Sequence, residues 1–159
     1  MSRLTTAGVV LLGLALAACG SSTSPTDDRT PDDRPATRAA FEQARGRWNS
    51  LGISNYQYSF RRSCFCAPSF RSPVRITVRA GRVTAVVLAD TGQAVSPEDY
   101  PTVDDLFVLL QEALDADAYL IRVTYDPARG YPTSFYIDRS PQIADEELAI
   151  EAEDLAPLS

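Results

Sequence analysis

The sequence predicts an α+β fold: one antiparallel sheet of five to six strands with two helices packed on one face. Three observations lead there. Two segments place apolar residues at helical spacing, and several others alternate apolar and polar residues with the two-residue period of a half-buried strand. The order helix-strand-strand-strand then occurs twice, over about 39–90 and about 102–153. A chain of this kind buries each helix stripe against a sheet and leaves the sheet's other face to solvent. The two halves share no residue-level identity, so the repeat is one of pattern.

From Ala39 to Leu51, the residues Phe41, Ala44, Trp48 and Leu51 recur at spacings of three, four and three, with Gly52 as the stop. Tyr56, Tyr58 and Phe60 then alternate with Gln57, Ser59 and Arg61 as a strand. Val74, Ile76, Val78 and Ala80 alternate with Arg75, Thr77 and Arg79; Ala80-Gly81-Arg82 is a turn, and Val83 to Ala89 is the returning strand. Pro97 and Pro101 bracket a loop into the second helix. Thr102 caps that helix, with Asp105 three residues on and Asp104 beside it, both favourable near the positive end of the helix dipole. Its apolar face is Val103, Leu106, Phe107, Leu110, Ala113 and Leu114. Tyr119 to Asp126 and Thr133 to Asp138 form a hairpin, in whose loop Gly130 is the candidate for a positive φ. A last strand covers Leu148 to Ala152. The outward sheet face is expected to carry Arg75, Arg79, Arg122, Gln57 and Thr124, while the tyrosines read as core and cross-strand packing.

Residues 1–18 read as a lipoprotein signal peptide. One charge in the opening Met-Ser-Arg precedes an apolar run from Leu4 to Ala18, and that run is shorter than the roughly 20 residues a bilayer span needs. Leu16-Ala17-Ala18-Cys19 resembles a bacterial lipobox, which implies diacylglyceryl transfer to the Cys19 sulfur, cleavage before it, and a palmitate-type chain on the new amine. Two or three acyl chains anchor durably where one is marginal. Gly20 at the next position resembles an outer-membrane sorting signal. The expected location is the cell envelope, as a membrane-anchored lipoprotein on the periplasmic side of the outer membrane if the cell is diderm. Residues 19–38, rich in Ser, Thr, Pro and Asp, are expected to be a lipidated flexible tether, and 39–159 a single domain.

Composition narrows the chemistry. The formal charge is −6 and becomes −7 once Arg3 leaves with the signal. All 15 basic residues are Arg, with no His and no Lys, which removes Ser-His and Cys-His dyads, Schiff-base lysines and imidazole metal ligands. No catalytic residue, cofactor or metal set is assigned, and the chain reads as non-enzymatic. Charge is uneven: residues 41–82 hold eight Arg and one acid, Glu42, for +7, and 83–159 hold three Arg and sixteen acids, for −13. The halves either neutralise each other across the sheet or leave a basic surface for an anionic partner such as lipid headgroups, lipopolysaccharide or wall polymer. Nucleic acid does not suit this compartment or the net acidity. Asp104/Asp105, Asp115/Asp117 and Asp145-Glu146-Glu147 suit a helix cap, a helix end and an exposed loop. Asp126, Asp138 and Asp145 could converge on calcium, although no EF-hand spacing is present.

Lipidation of Cys19 leaves Cys64 and Cys66, in a compartment where disulfides persist. In an unbroken strand their Cα atoms would sit about 6.5 Å apart, near the upper limit for a bridge. Pro68 marks the strand as ending there, so a tighter bend is feasible. The readings are a local structural disulfide, a redox pair with its thiol pKa lowered by Arg61 and Arg62, a metal site completed by carboxylates or a second chain, and inert thiols.

Five motifs in one order, NYQYSF, CFC, V-x-I-x-V-x-x-G, TVDDLF and YDPARGYPTSFYID, resemble those of a family of uncharacterised bacterial envelope lipoproteins, a domain of unknown function, over about residues 45–153. The resemblance implies location and domain extent and brings no catalytic residue. The doubled layout is also similar in outline to beta-lactamase-inhibitor-like and PepSY-like domains, a likeness of fold alone. The expected role is a lipid-anchored domain that binds an envelope protein or polymer through its sheet face or the Gly130 loop. The alternative is a thiol-disulfide or metal-handling accessory protein using Cys64 and Cys66.

Overall fold

A computed structural model describes residues 34–143 and 145–159, so the signal 1–18, Cys19 and most of the tether expected over 19–38 lie outside the described residues. In chain order the described residues form α1 (Arg34–Leu51), β1 (Tyr56–Ser63), β2 (Val74–Arg79), β3 (Arg82–Leu88), β4 (Ala94–Val95), α2 (Val103–Asp115), β5 (Leu120–Tyr125), β6 (Pro132–Asp138) and β7 (Leu148–Pro157). Short 3-10 turns occupy Pro68–Arg71 and Pro97–Asp99. The strands form one sheet in the order β4-β3-β2-β1-β7-β6-β5, every pairing antiparallel. Two meanders, one from each half of the chain, are therefore joined where β1 meets β7.

The α+β class holds, and the expected five to six strands are corrected to seven among the described residues. The extra strand is β4, whose two residues pair with Val86 and Val87 and are too few to show alternation in sequence. Strand β7 runs five residues beyond Ala152, because it bonds β1 on one side and β6 on the other. Helix α1 begins at Arg34, five residues before the domain start read at Ala39. Long-range bonds hold its first five residues: Arg34 donates to Asp117 at 2.8 Å, and Arg38 donates to Asp115 at 3.1 Å and to the Leu114 carbonyl at 3.0 Å. Pro35 is compatible with the first turn, where its missing N–H has no helical acceptor to lose.

One core cluster contains Phe41, Ala44 and Trp48 of α1, all six expected apolar residues of α2, and the inward positions of the strands. The register keeps those positions on one side, with Tyr58 opposite Ile76, Phe60 opposite Ala152 and Phe135 opposite Ile150. Aromatic rings tie the elements: Phe41 meets Phe107 edge-on at 5.9 Å, Trp48 meets Tyr56 at 5.5 Å, and Phe107 stacks on Tyr125 at 6.4 Å.

The entry to α2 explains why two distant motifs occur together. The Tyr56 hydroxyl accepts from the Val103 N–H at 2.9 Å, and the Tyr58 hydroxyl donates to the Pro101 carbonyl. Trp48 Nε1 donates to Asp104 Oδ1 at 3.1 Å. Thr102 and Asp105 close a reciprocal capping box, Thr102 Oγ1 accepting from the Asp105 N–H at 3.1 Å and Asp105 Oδ2 from the Thr102 N–H at 2.8 Å. The tyrosines of NYQYSF and the acids of TVDDLF thus build a single joint. No helix among the described residues is long and apolar enough to cross a membrane.

Candidate functional site

Strand β1 ends at Ser63, opposite Ala149, and the chain bends at once. The bend brings the Cα atoms of Cys64 and Cys66 to 5.3 Å, closer than a straight strand allows, and the pair is bridged. Between them Phe65 stands 80% exposed. A shallow cleft of about 210 Å³ lies beside the bridge, lined by Ser63, Cys64, Phe65 and Ala149, with Tyr136, Asp145 and Glu147 completing it.

The two arginines before the bridge are engaged elsewhere. Arg61 pairs with Glu151 at 2.6 Å, and that hydrogen bond and charge raise its pKa further. The Arg62 guanidinium lies over the rings of Phe60 at 5.2 Å, Tyr100 at 5.6 Å and Phe70 at 5.9 Å, and donates to the Asp99 carbonyl at 2.7 Å. Arg62 therefore fastens the turn before α2 to the end of β1.

On the side of the sheet away from Tyr56, Tyr58 and Phe60, polar and charged residues pair across strands. Gln57 Nε2 donates to Thr77 Oγ1 at 3.1 Å, Ser59 lies opposite Arg75 and Glu153, and Arg122 and Thr124 lie opposite Tyr136 and Ser134. These are the positions expected for Gln57, Arg75, Arg79, Arg122 and Thr124. Neutralisation between the two halves occurs at Arg61–Glu151. It does not extend over β2 and β3: Arg75 and Arg82 are exposed and form no ion pair among the described residues. Arg79 lies directly opposite Arg82 and donates to the Ser159 carbonyl at 2.7 Å. Two like charges facing each other across a ladder are destabilising. The sequence carried the signal for this pair, since a two-residue Ala80-Gly81 turn must set residue 79 opposite 82.

The Gly130 loop is committed to the fold. Asp126 Oδ1 accepts from the N–H groups of Ala128 at 3.0 Å and Arg129 at 2.6 Å, and Gly130 N–H bonds the Asp126 carbonyl at 2.8 Å. Gly130 has the expected positive φ, +82°, and a Cβ built on it would overlap the Ala44 carbonyl oxygen and approach Arg47 Cβ to 3.0 Å. The Arg47 guanidinium donates to the Pro127 carbonyl. This loop is docked on α1.

The carboxylates are likewise mostly spoken for. Asp104 and Asp105 hold the α2 entry, and Asp115 and Asp117 pair with Arg38 and Arg34. Asp126 follows β5 at the loop end of the hairpin, whereas Asp138 pairs with Leu120 at the other end, so Asp126, Asp138 and Asp145 do not converge. Among the described residues no group of three or more Cys, Asp or Glu could hold a metal ion. Burial raises the pKa of Tyr56, Tyr58, Tyr125 and Tyr131, so all four are protonated at neutral pH and none is poised as a base.

No curated protein matches the sequence. The profile of a family of unknown function, DUF6174, matches residues 40–157, which span α1 through β7, and the chain belongs to that family.

Proposed function

We propose that this protein is a lipid-anchored envelope lipoprotein whose domain binds without catalysing, engaging an anionic envelope polymer or protein through the outward face of its sheet. In this reading both helices cover the opposite face, and acyl chains on Cys19 tether the domain to the membrane. The observation that carries it is the arginine group of β2 and β3: Arg79 and Arg82 face each other, and Arg75 lies four residues along the same strand face, about 13 Å away. A cross-strand arginine pair costs stability when it is left alone and is repaid when a dianion or polyanion sits between the two guanidiniums. The absence of His and Lys from the sequence supports a binding role over acid–base chemistry.

Retention on a sulfated dextran column tests the reading. Binding should weaken with salt and fall further in an Arg79→Ala/Arg82→Ala double variant. Retention that both changes leave untouched would remove the face from consideration. For the anchor, Cys19→Ser should abolish membrane partitioning. A second reading, a thiol-disulfide accessory protein, is favoured by the position of the Cys64–Cys66 bridge at an exposed tip. A reduction potential below about −300 mV would mark the bond as structural and retire that reading.

A further inference from the structure

Exposed apolar side chains gather at one end of the sheet. Among the described residues Phe65 is 80% exposed, Ile143 57% and Tyr119 50%. Phe65 follows β1 by two residues, Tyr119 immediately precedes β5, and Ile143 lies in the connection from β6 to β7. The register brings these places to a common rim: Ser63 pairs with Ala149, Leu148 with Ile137, and Asp138 with Leu120. With neighbouring strands about 4.8 Å apart, the rim from β1 to β5 is about 15 Å wide. The other two exposed large apolar residues lie away from it, Leu51 at the far end of α1 and Val108 in the middle of α2.

The chain enters the domain at this same rim. Arg34 is bonded to Asp117, which lies between the end of α2 and the start of β5. Cys19 precedes Arg34 by 15 residues. Whatever its conformation, that stretch spans at most roughly 50 Å, so an anchor on Cys19 keeps the bilayer within reach of this end.

We propose that the rim is a membrane-contact surface, with Phe65, Tyr119 and Ile143 entering the headgroup region of the bilayer that holds Cys19. The inference rests on the lipid-anchor reading above and adds an orientation to it. The Cys64–Cys66 bridge suits Phe65 to this task, because a closed tip loses little freedom when its side chain is buried. Tyr119 brings a ring with a polar handle, the kind of side chain favoured where one end is wet. Asp145 and Glu147 beside Phe65 make anionic headgroups a poor match, so the contact is apolar and insensitive to salt. End-on docking also points the Arg79–Arg82 pair, at the opposite end of β2 and β3, away from the lipid.

The test uses the full lipidated protein on phosphatidylcholine vesicles with brominated acyl chains. Trp48, 3% exposed, supplies a constant background, and Phe65→Trp and Leu51→Trp place a reporter at either end. Emission from the Phe65→Trp protein should shift to the blue and be quenched about two-fold more than that of the Leu51→Trp protein, with no change in high salt. Equal quenching in protein that co-sediments with vesicles would overturn the rim contact and leave the anchor standing. Failure to co-sediment at all would overturn the anchor and the rim contact with it. Quenching abolished by salt would assign the contact to headgroup charge, and a blue shift that grows with protein concentration without vesicles would assign the rim to a second copy of the chain. Either result refutes the proposal.

Discussion

Replacing Gly130 by Ala should cost the fold about 2–4 kcal/mol. Part of this is the left-handed backbone, about 1 kcal/mol for a residue with a Cβ. The larger part is steric. The new methyl would overlap the Ala44 carbonyl oxygen, which belongs to the buried stripe of α1 and cannot swing aside as a side-chain tip can. The loop must lift, at about 1–3 kcal/mol for overpacking, and the Arg47 bond to the Pro127 carbonyl is strained with it. Gly52→Ala is the matched control, since Gly52 also has a positive φ, +59°, but nothing lies within 4 Å of its missing Cβ. It should lose only the backbone part. Equilibrium urea unfolding, followed by Trp48 emission and far-UV circular dichroism, reads both. With an m-value of about 1.5 kcal/mol/M, the midpoint should fall by about 1.3–2.7 M for Gly130→Ala and by only about 0.7 M for Gly52→Ala. Equal shifts in the two variants would show that the loop is not seated on the helix.

Reducing the Cys64–Cys66 bridge should leave the domain folded, because the closed loop is only about three residues long and the loop-entropy argument gives about 1.5 kcal/mol; calorimetry with and without reductant should show a lowered but still cooperative transition. Thr102→Ala removes the side-chain half of the capping box and should cost about 1–2 kcal/mol by the same urea assay, whereas Thr102→Ser should recover most of it. Stability should be flat through neutral pH and fall above about pH 10. Tyr56, Tyr58 and Tyr125 have pKa values raised in the folded state by burial, so their contribution is complete below the unfolded pKa and is lost as rising pH ionises them only in the unfolded chain. Absorbance of tyrosinate during an alkaline titration should therefore show these rings ionising together with unfolding, and early, reversible ionisation of all seven tyrosines would contradict their burial.

Much of the site was legible in sequence wherever the signal was local. Alternation in β1 and β2 assigned Gln57, Arg75 and Arg79 to the outward face, and the spacing from Thr102 to Asp105 announced a cap that the structure makes in both directions. The bend after β1 was signalled by Pro68 close behind the cysteines. What failed lacked a local signature. Two-residue β4 is too short for a period, and the first five residues of α1 carry no large apolar residue, being held by Asp115 and Asp117 some eighty positions away.

The sequence by itself determined the class of fold, the buried face of α2, that of α1 apart from Leu51, which is exposed, the polarity of the sheet's outer side and the chemistry that the missing His and Lys forbid. These depend on residue type and on periods of two and 3.6, which any window of the chain displays. Only the tertiary structure decided that β1 pairs with β7, that Arg62 is spent on three aromatic rings, that Gly130 seats a loop on α1, and that Phe65, Tyr119 and Ile143 share the rim by which the chain enters. Each is a meeting of residues far apart in the chain. Such meetings are selected by the packing of the whole domain, and no local pattern encodes which distant partner wins.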